Sequence, residues 1–202
     1  MLKENKIISV LTIENSSIAI DLAKCLSDSG IRNLEITLRT KEAKKAIELI
    51  LSTNLDFNIG IGTVLTLDDL KFTKDIGADF ALSPCTDIEL IKESFKIGFN
   101  FIPGVSTSSD INTAIKLGCK VLKLFPTIQL GGLSYFKSIY SPYKSSELNF
   151  IALGGINDMN ANDFIKNEHF IGVGASWIAT NELIKNKDWK EISRRAKFML
   201  EL

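Results

Sequence analysis

The scarcest chemistry-bearing residue in this 202-residue chain is histidine, present once, as His169. A zinc site built on two or three histidines is therefore excluded, and so is a Ser–His or Cys–His nucleophile unless His169 is itself the base. Cysteine is scarce as well. Cys25, Cys85 and Cys119 are 3 in number and widely spaced, which suits free thiols in a reducing compartment rather than a disulfide framework. Cys25 and Cys119 read as ordinary buried thiols, and Cys85 lacks an activating partner. Neither sign of charge is in surplus, because 24 Lys and Arg balance 24 Asp and Glu. No electrostatic footprint for nucleic acid or an anionic membrane follows from that balance, so the expected partner is a small neutral or anionic molecule. Long apolar runs are missing too. None approaches a membrane span, and the apolar run in the opening MLKENKIISVL is too brief for a signal sequence, so the expected location is the cytoplasm.

What is present is one repeated pattern. With 45% apolar residues the chain can build one substantial core, and a single domain over residues 1–202 is expected. A short β-rich run, a polar or glycine-containing turn and an amphipathic stretch recur eight times. The strands are expected at Ile7 to Thr12, Asn33 to Leu38, Phe57 to Gly62, Asp79 to Ser83, Phe99 to Ile102, Lys120 to Phe125, Asn149 to Leu153 and Phe170 to Gly174. Helices are expected at Ser16 to Ser29, Lys41 to Leu51, Leu67 to Ile76, Asp87 to Lys96 and Ser109 to Lys116, with a final one near Asp188 to Leu202. Gly30, Gly77, Gly98 and Gly118 supply C-terminal stops, and Asn15, Thr40, Thr66, Thr86, Ser108 and Asn157 supply N-terminal caps. Alternating β and α elements predict parallel strands joined by crossover helices, most economically a closed α/β barrel, the (β/α)8 TIM barrel. An open doubly wound sheet is the runner-up. That fold calls for a phosphate-binding GxGxxG after the first strand, and Thr12 to Ser17 holds no glycine.

In such a barrel the reactive groups sit where strands end and βα loops begin. Within GCKVLKLFPTIQLGG, Val121, Lys123 and Phe125 share one strand face and Leu122 and Leu124 the other. Lys123 is thereby placed among apolar neighbours. Burial of an ammonium favours the free amine, the form that attacks a carbonyl to make a Schiff base, whereas a lysine at a strand edge merely reaches water or a carboxylate. The second strand turns Glu35, Thr37 and Arg39 to the face opposite Leu34, Ile36 and Leu38, so a carboxylate and a guanidinium point inward. Glu35 and Lys123 lie on strands across the barrel from each other, and both reach its axis. They constitute either a neutralised ion pair or a nucleophile with its acid/base. Arg39 is suited to a carboxylate, with Thr63 as a second donor, or else is a rim arginine paired with a helix. Gly154 and Gly155, before a helix, offer unobstructed backbone N–H groups, and Ser176 follows the next strand, where barrels commonly complete a phosphate site.

The motifs LEITLRT (34 to 40), GIGTVL (60 to 65), FALSP (80 to 84), FIPGVST (101 to 107), KLFP (123 to 126), ALGGI (152 to 156) and VGASWI (173 to 178) occur in order over nearly the whole chain. Together they resemble the family of 2-keto-3-deoxy-6-phosphogluconate aldolases, which also act on 4-hydroxy-2-oxoglutarate. The resemblance implies a class I pyruvate aldolase on a (β/α)8 barrel, a homotrimer that needs no metal or other cofactor. It implies Lys123 as the Schiff-base lysine and Glu35 as the acid/base. Arg39, Thr63 and Pro84 then lie around the pyruvate carboxylate, Phe125 packs beside the lysine, and Gly154, Gly155 and Ser176 contact the phosphate. Two departures stand out. ALGG replaces the PTGG frequent among phosphogluconate-type members, putting Leu153 where they carry a threonine, and the first strand lacks an arginine that some members have. An apolar residue at position 153 is associated with the related aldolases for the galactonate epimer. The alternatives are that epimer as substrate, a phosphate-binding barrel isomerase or epimerase without Schiff-base chemistry, and a non-catalytic binding barrel.

Overall fold

The computed structural model describes residues 2–202. Nine parallel strand segments alternate with helices: β1 (Ile7–Leu11), β2 (Asn33–Thr37), β3 (Asn58–Gly62), β4 (Phe80–Leu82), β5 (Phe101–Ile102), β6 (Gly104–Val105), β7 (Val121–Leu124), β8 (Asn149–Leu153) and β9 (Phe170–Ala175). The helices are α1 (Ala19–Asp28), α2 (Ala43–Leu51), α3 (Leu67–Asp75), α4 (Ile88–Lys96), α5 (Ser108–Lys116), α6 (Gly132–Tyr140), α7 (Ala161–Ile165), α8 (Asn181–Lys185) and α9 (Trp189–Leu200). Neighbouring strands follow the order β5-β4-β3-β2-β1-β9-β8-β7-β6. The two ends of that order, β5 and β6, are separated only by Pro103. Proline has no N–H to donate and interrupts the ladder, yet its carbonyl accepts from the Lys123 N–H at 2.9 Å. The segment from Phe101 to Val105 therefore pairs with β4 at one end and β7 at the other, and the sheet closes into a barrel.

This corrects the expected fifth strand at Phe99 to Ile102, which starts two residues later and resumes beyond the proline. Four expected caps also shift. Thr40 donates its hydroxyl to the Ile13 carbonyl at 2.5 Å instead of capping α2. Thr86 donates to the Gly104 carbonyl at 2.8 Å, leaving Asp87 to cap α4. Thr107, not Ser108, caps α5, with Asp110 completing a capping box, and Asn157 lies three residues before the N-cap of α7, Asn160. Asp87 and Thr107 take the caps of α4 and α5 because a cap falls to whichever oxygen the entering chain presents to the N2 or N3 amide, whereas α2 and α7 begin at Glu42 and Asn160 with no side-chain cap. Asn15 caps a 3-10 turn over Ser16–Ile18 that precedes α1. Thr66 caps α3 as expected.

Alternation of side chains divides the core in two. Leu34, Ile36, Ile59, Ile61, Leu122 and Leu124 face outward and pack under the helices. Ile8, Val10, Phe80, Leu82, Ile151 and Leu153 form a smaller cluster inside the barrel. At the N-terminal mouth the interior is polar but fully satisfied. Asn33 donates its amide to the carbonyls of Lys3, Asn5 and Ile7 at 3.0, 3.2 and 3.2 Å and accepts from the Lys3 N–H at 2.8 Å, so residues before β1 seal that end. The opposite mouth is left for chemistry.

Candidate active site

Glu35 is the middle residue of β2 and Lys123 the third of β7. Among the described residues these are the only charged side chains that are buried. The strand period turns both inward while their flanking aliphatics face the helices. Lys123 Nζ lies 3.3 Å from Glu35 Oε1, and the two side chains are 2% and 1% exposed. Nζ also stands 4.9 Å over the centroid of the Phe125 ring, within the range where an aromatic face attracts an ammonium. Glu35 Oε2 has no hydrogen-bond partner although it is buried. An ion pair kept for structure alone needs its remaining lone pairs and protons satisfied to offset desolvation. Here one carboxylate oxygen is left unpaired.

The room for this carboxylate comes from β3. A Cβ at Gly62 would lie 2.0 Å from Glu35 Oε1, and one at Gly60 would lie 2.2 Å from the Phe80 ring. Gly62 does not adopt a left-handed φ, so its glycine is required by space rather than by backbone conformation. Sequence reasoning quoted GIGTVL but singled out only Thr63. The overlooked signal was glycine at the last two inward positions, 60 and 62, of one strand.

The other expected residues gather at the same mouth. Arg39 lies past the end of β2 and is exposed, so its guanidinium is at the rim rather than inside the barrel as strand alternation had suggested. The chain turns after Thr37, and the period-2 pattern no longer applies. Its Nε donates to Thr63 Oγ1 at 3.3 Å, and Thr63 holds a positive φ of 62°, a conformation that costs a non-glycine residue roughly 1 kcal/mol or more. Pro84 follows β4 and rests on Gly104, whose Cβ would fall 2.3 Å from the Pro84 carbonyl carbon. Gly154 and Gly155 form a turn with φ of 98° and 75°. The N–H groups of Gly155 and Ile156 donate to nothing in the described chain. Ser176 is exposed just beyond β9. Leu153, at the end of β8, is buried and packs against Gly174 and Val10 in the barrel interior. His169 precedes β9 at the opposite end, against the rings of Tyr140 and Phe136 at 4.9 and 6.0 Å, and takes no part. Among the described residues no group of three or more His, Cys, Asp or Glu side chains is arranged to hold a metal ion. No helix among them is long and apolar enough to cross a membrane.

Fold and site together define a (β/α)8 barrel whose only buried ion pair among the described residues, a lysine against a glutamate, stands among the strands leading to the C-terminal mouth. A family model described as "KDPG and KHG aldolase" matches residues 1–195. The 2-dehydro-3-deoxy-phosphogluconate aldolase of Haemophilus influenzae is 31% identical over 201 residues, covering 100% of this chain and 94% of that protein. The crystal structure of KDPG aldolase from Legionella pneumophila, with pyruvate captured as a covalent carbinolamine intermediate, superposes with a TM-score of 0.90 at 35% identity, covering 96% of this chain and 93% of the other. The aldolase of Zymomonas mobilis ZM4 with 3-phosphoglycerate gives 0.89 at 30% identity, covering 96% and 90%. The chain belongs to the KDPG and KHG aldolase family.

Proposed function

We propose that this protein is a Schiff-base lyase that cleaves a 2-keto-3-deoxy-6-phospho sugar acid, the gluconate form, to pyruvate and glyceraldehyde 3-phosphate, and that it also cleaves 4-hydroxy-2-oxoglutarate to pyruvate and glyoxylate. The observation that carries this reading is the buried Lys123–Glu35 pair with its unpaired Oε2. Proton transfer from the ammonium, directly or through water, gives the amine that attacks the C2 ketone, and loss of water leaves an iminium. The iminium is the electron sink. Glu35 accepts the C4 hydroxyl proton, the C3–C4 bond breaks, the aldehyde departs and the electron pair remains as an enamine on Lys123. Glu35 then protonates C3, and hydrolysis of the iminium frees pyruvate and regenerates the amine. The carbinolamine seen in the Legionella relative is the kind of adduct this sequence requires.

Arg39, with Thr63 held beside it, and Pro84 receive the substrate carboxylate, while Phe125 gives Lys123 an apolar flank. Gly154, Gly155 and Ser176 receive the phosphate, which the free N–H groups of Gly155 and Ile156 support. Leu153 presents no hydroxyl toward C4, and this one observation favours the galactonate epimer as a second substrate. We also propose a homotrimer acting in the cytoplasm. Leu65, Leu67 and Ile88, exposed at 50%, 41% and 50%, cluster at the starts of the neighbouring helices α3 and α4 and offer the apolar patch that a subunit contact buries.

The test is borohydride reduction in the presence of pyruvate. It should fix a covalent adduct on Lys123, and full aldol activity in Lys123→Ala would sink the mechanism. Pyruvate release measured side by side from both epimers and from 4-hydroxy-2-oxoglutarate decides the substrate order, and sedimentation decides the trimer.

A further inference from the structure

The loop after β7 reaches the glycine turn after β8 and is fastened to it by backbone alone. The Thr127 N–H donates to the Leu153 carbonyl at 2.7 Å and the Ile128 N–H to the Gly154 carbonyl at 3.0 Å. Tight returns follow, with the N–H groups of Leu130, Gly131 and Gly132 donating to the carbonyls of Pro126, Ile128 and Thr127. Gln129 is thereby held at the crest of this loop, over the turn. A Cβ built on Gly155 would lie 3.0 Å from Gln129 Nε2. The Gln129 side chain is exposed and makes no hydrogen bond within the described chain. Its amide therefore lies beside Gly155 with no competing partner, and the free N–H groups of Gly155 and Ile156 in this positive-φ turn are of the kind that form a concave anion cradle.

We infer that Gln129 is a specificity-determining residue: its side-chain amide donates a further hydrogen bond to the distal phosphate of the substrate. This rests on the phosphate reading of Gly154, Gly155 and Ser176 proposed above. A phosphate ester on C6 extends to the cradle, whereas 4-hydroxy-2-oxoglutarate ends in a carboxylate at C5, lacks the C6 carbon and ester oxygen that carry the phosphate, and falls short of it. Gln129 thus distinguishes the two substrate types without touching the reacting carbons.

The experiment is steady-state kinetics of Gln129→Ala and Gln129→Glu on the phosphorylated substrate and on 4-hydroxy-2-oxoglutarate, with melting temperature as the check on folding. One hydrogen bond to a charged group corresponds to about a tenfold change in affinity. The ratio of the two KM values should shift about tenfold against the phosphorylated substrate in Gln129→Ala and further in Gln129→Glu, where a like charge faces the phosphate. An unshifted ratio in both variants, while Ser176→Ala raises the KM for the phosphorylated substrate, overturns the inference and leaves the phosphate site standing. An unaltered protein that handles both substrates with the same KM, or releases no pyruvate from the phosphorylated one, overturns the phosphate reading and the inference with it.

Discussion

Gly62→Ala puts the largest functional strain on the smallest covalent change. The added Cβ would stand 2.0 Å from Glu35 Oε1, 2.7 Å from its Cδ and 2.8 Å from its Cγ. Ordinary contact begins near 3.4 Å, so the oxygen must retreat by roughly 1.4 Å, the difference between 3.4 and 2.0 Å. Glu35 is fully buried and cannot escape to solvent, and the oxygen that must move is the one 3.3 Å from Lys123 Nζ. A misplacement of about 1 Å at a reacting group costs on the order of 100-fold in rate, so kcat should fall by about that factor. Overpacking a closed core costs about 2 kcal/mol, or roughly 4–8 °C in melting temperature for a chain of this size. The three atoms nearest the new methyl all belong to Glu35, so borohydride should still trap pyruvate on Lys123. The decisive assay is a double-mutant cycle. In a Glu35→Ala background the new methyl has room, and Gly62→Ala should then cost little further stability or turnover. An equal cost in both backgrounds, or a kcat within about threefold of the unaltered protein, would refute the idea that Gly62 acts through Glu35.

Two other outcomes follow from the charge and thiol environments. Although partial burial works against its charge, Asp110 is held below the ordinary carboxylate value by hydrogen bonds from the N–H and hydroxyl groups of Ser106 and Thr107. Because the folded value is depressed, its stabilisation is complete above the ordinary value and is lost as pH falls through the folded one. Asp110→Asn should therefore cost about 1 kcal/mol at pH 7 and progressively less on acidification, measured by urea unfolding between pH 7 and pH 3. A pH-independent cost would overturn that assignment. Burial pushes the Cys119 thiol up to about 11, whereas Cys85 is exposed beside Pro84. A maleimide at pH 7.5 should label Cys85 in the folded protein and Cys119 only after unfolding, read by peptide mass spectrometry; equal labelling would contradict the packing around Cys119.

Much of this was legible in the chain itself. Period-2 alternation assigned Glu35 and Lys123 to inward faces and Leu34, Ile36, Leu122 and Leu124 to outward ones, because side-chain direction in a strand is a local geometric fact. The repeat of strand and helix implied a parallel sheet for the same reason, since parallel neighbours need crossover connections. Arg39 marks where local reasoning stopped working. It is two residues beyond the end of β2, and a pattern of alternation carries no information about where a strand ends. The continuation of the fifth strand across Pro103 was likewise invisible, because its pairing partners, Leu82 and Lys123, come from distant parts of the chain.

The sequence by itself determined which residues could share a face, which catalytic systems were ruled out by a single histidine, and that the strands run parallel. Only the tertiary structure decided that two charges 88 positions apart meet at 3.3 Å, that one carboxylate oxygen is left without a partner, and that Gly62 is a glycine on account of a side chain on the neighbouring strand. Local patterns fix direction, whereas distance and unmet hydrogen-bonding capacity depend on barrel closure, which brings the second and seventh strand segments to a common axis.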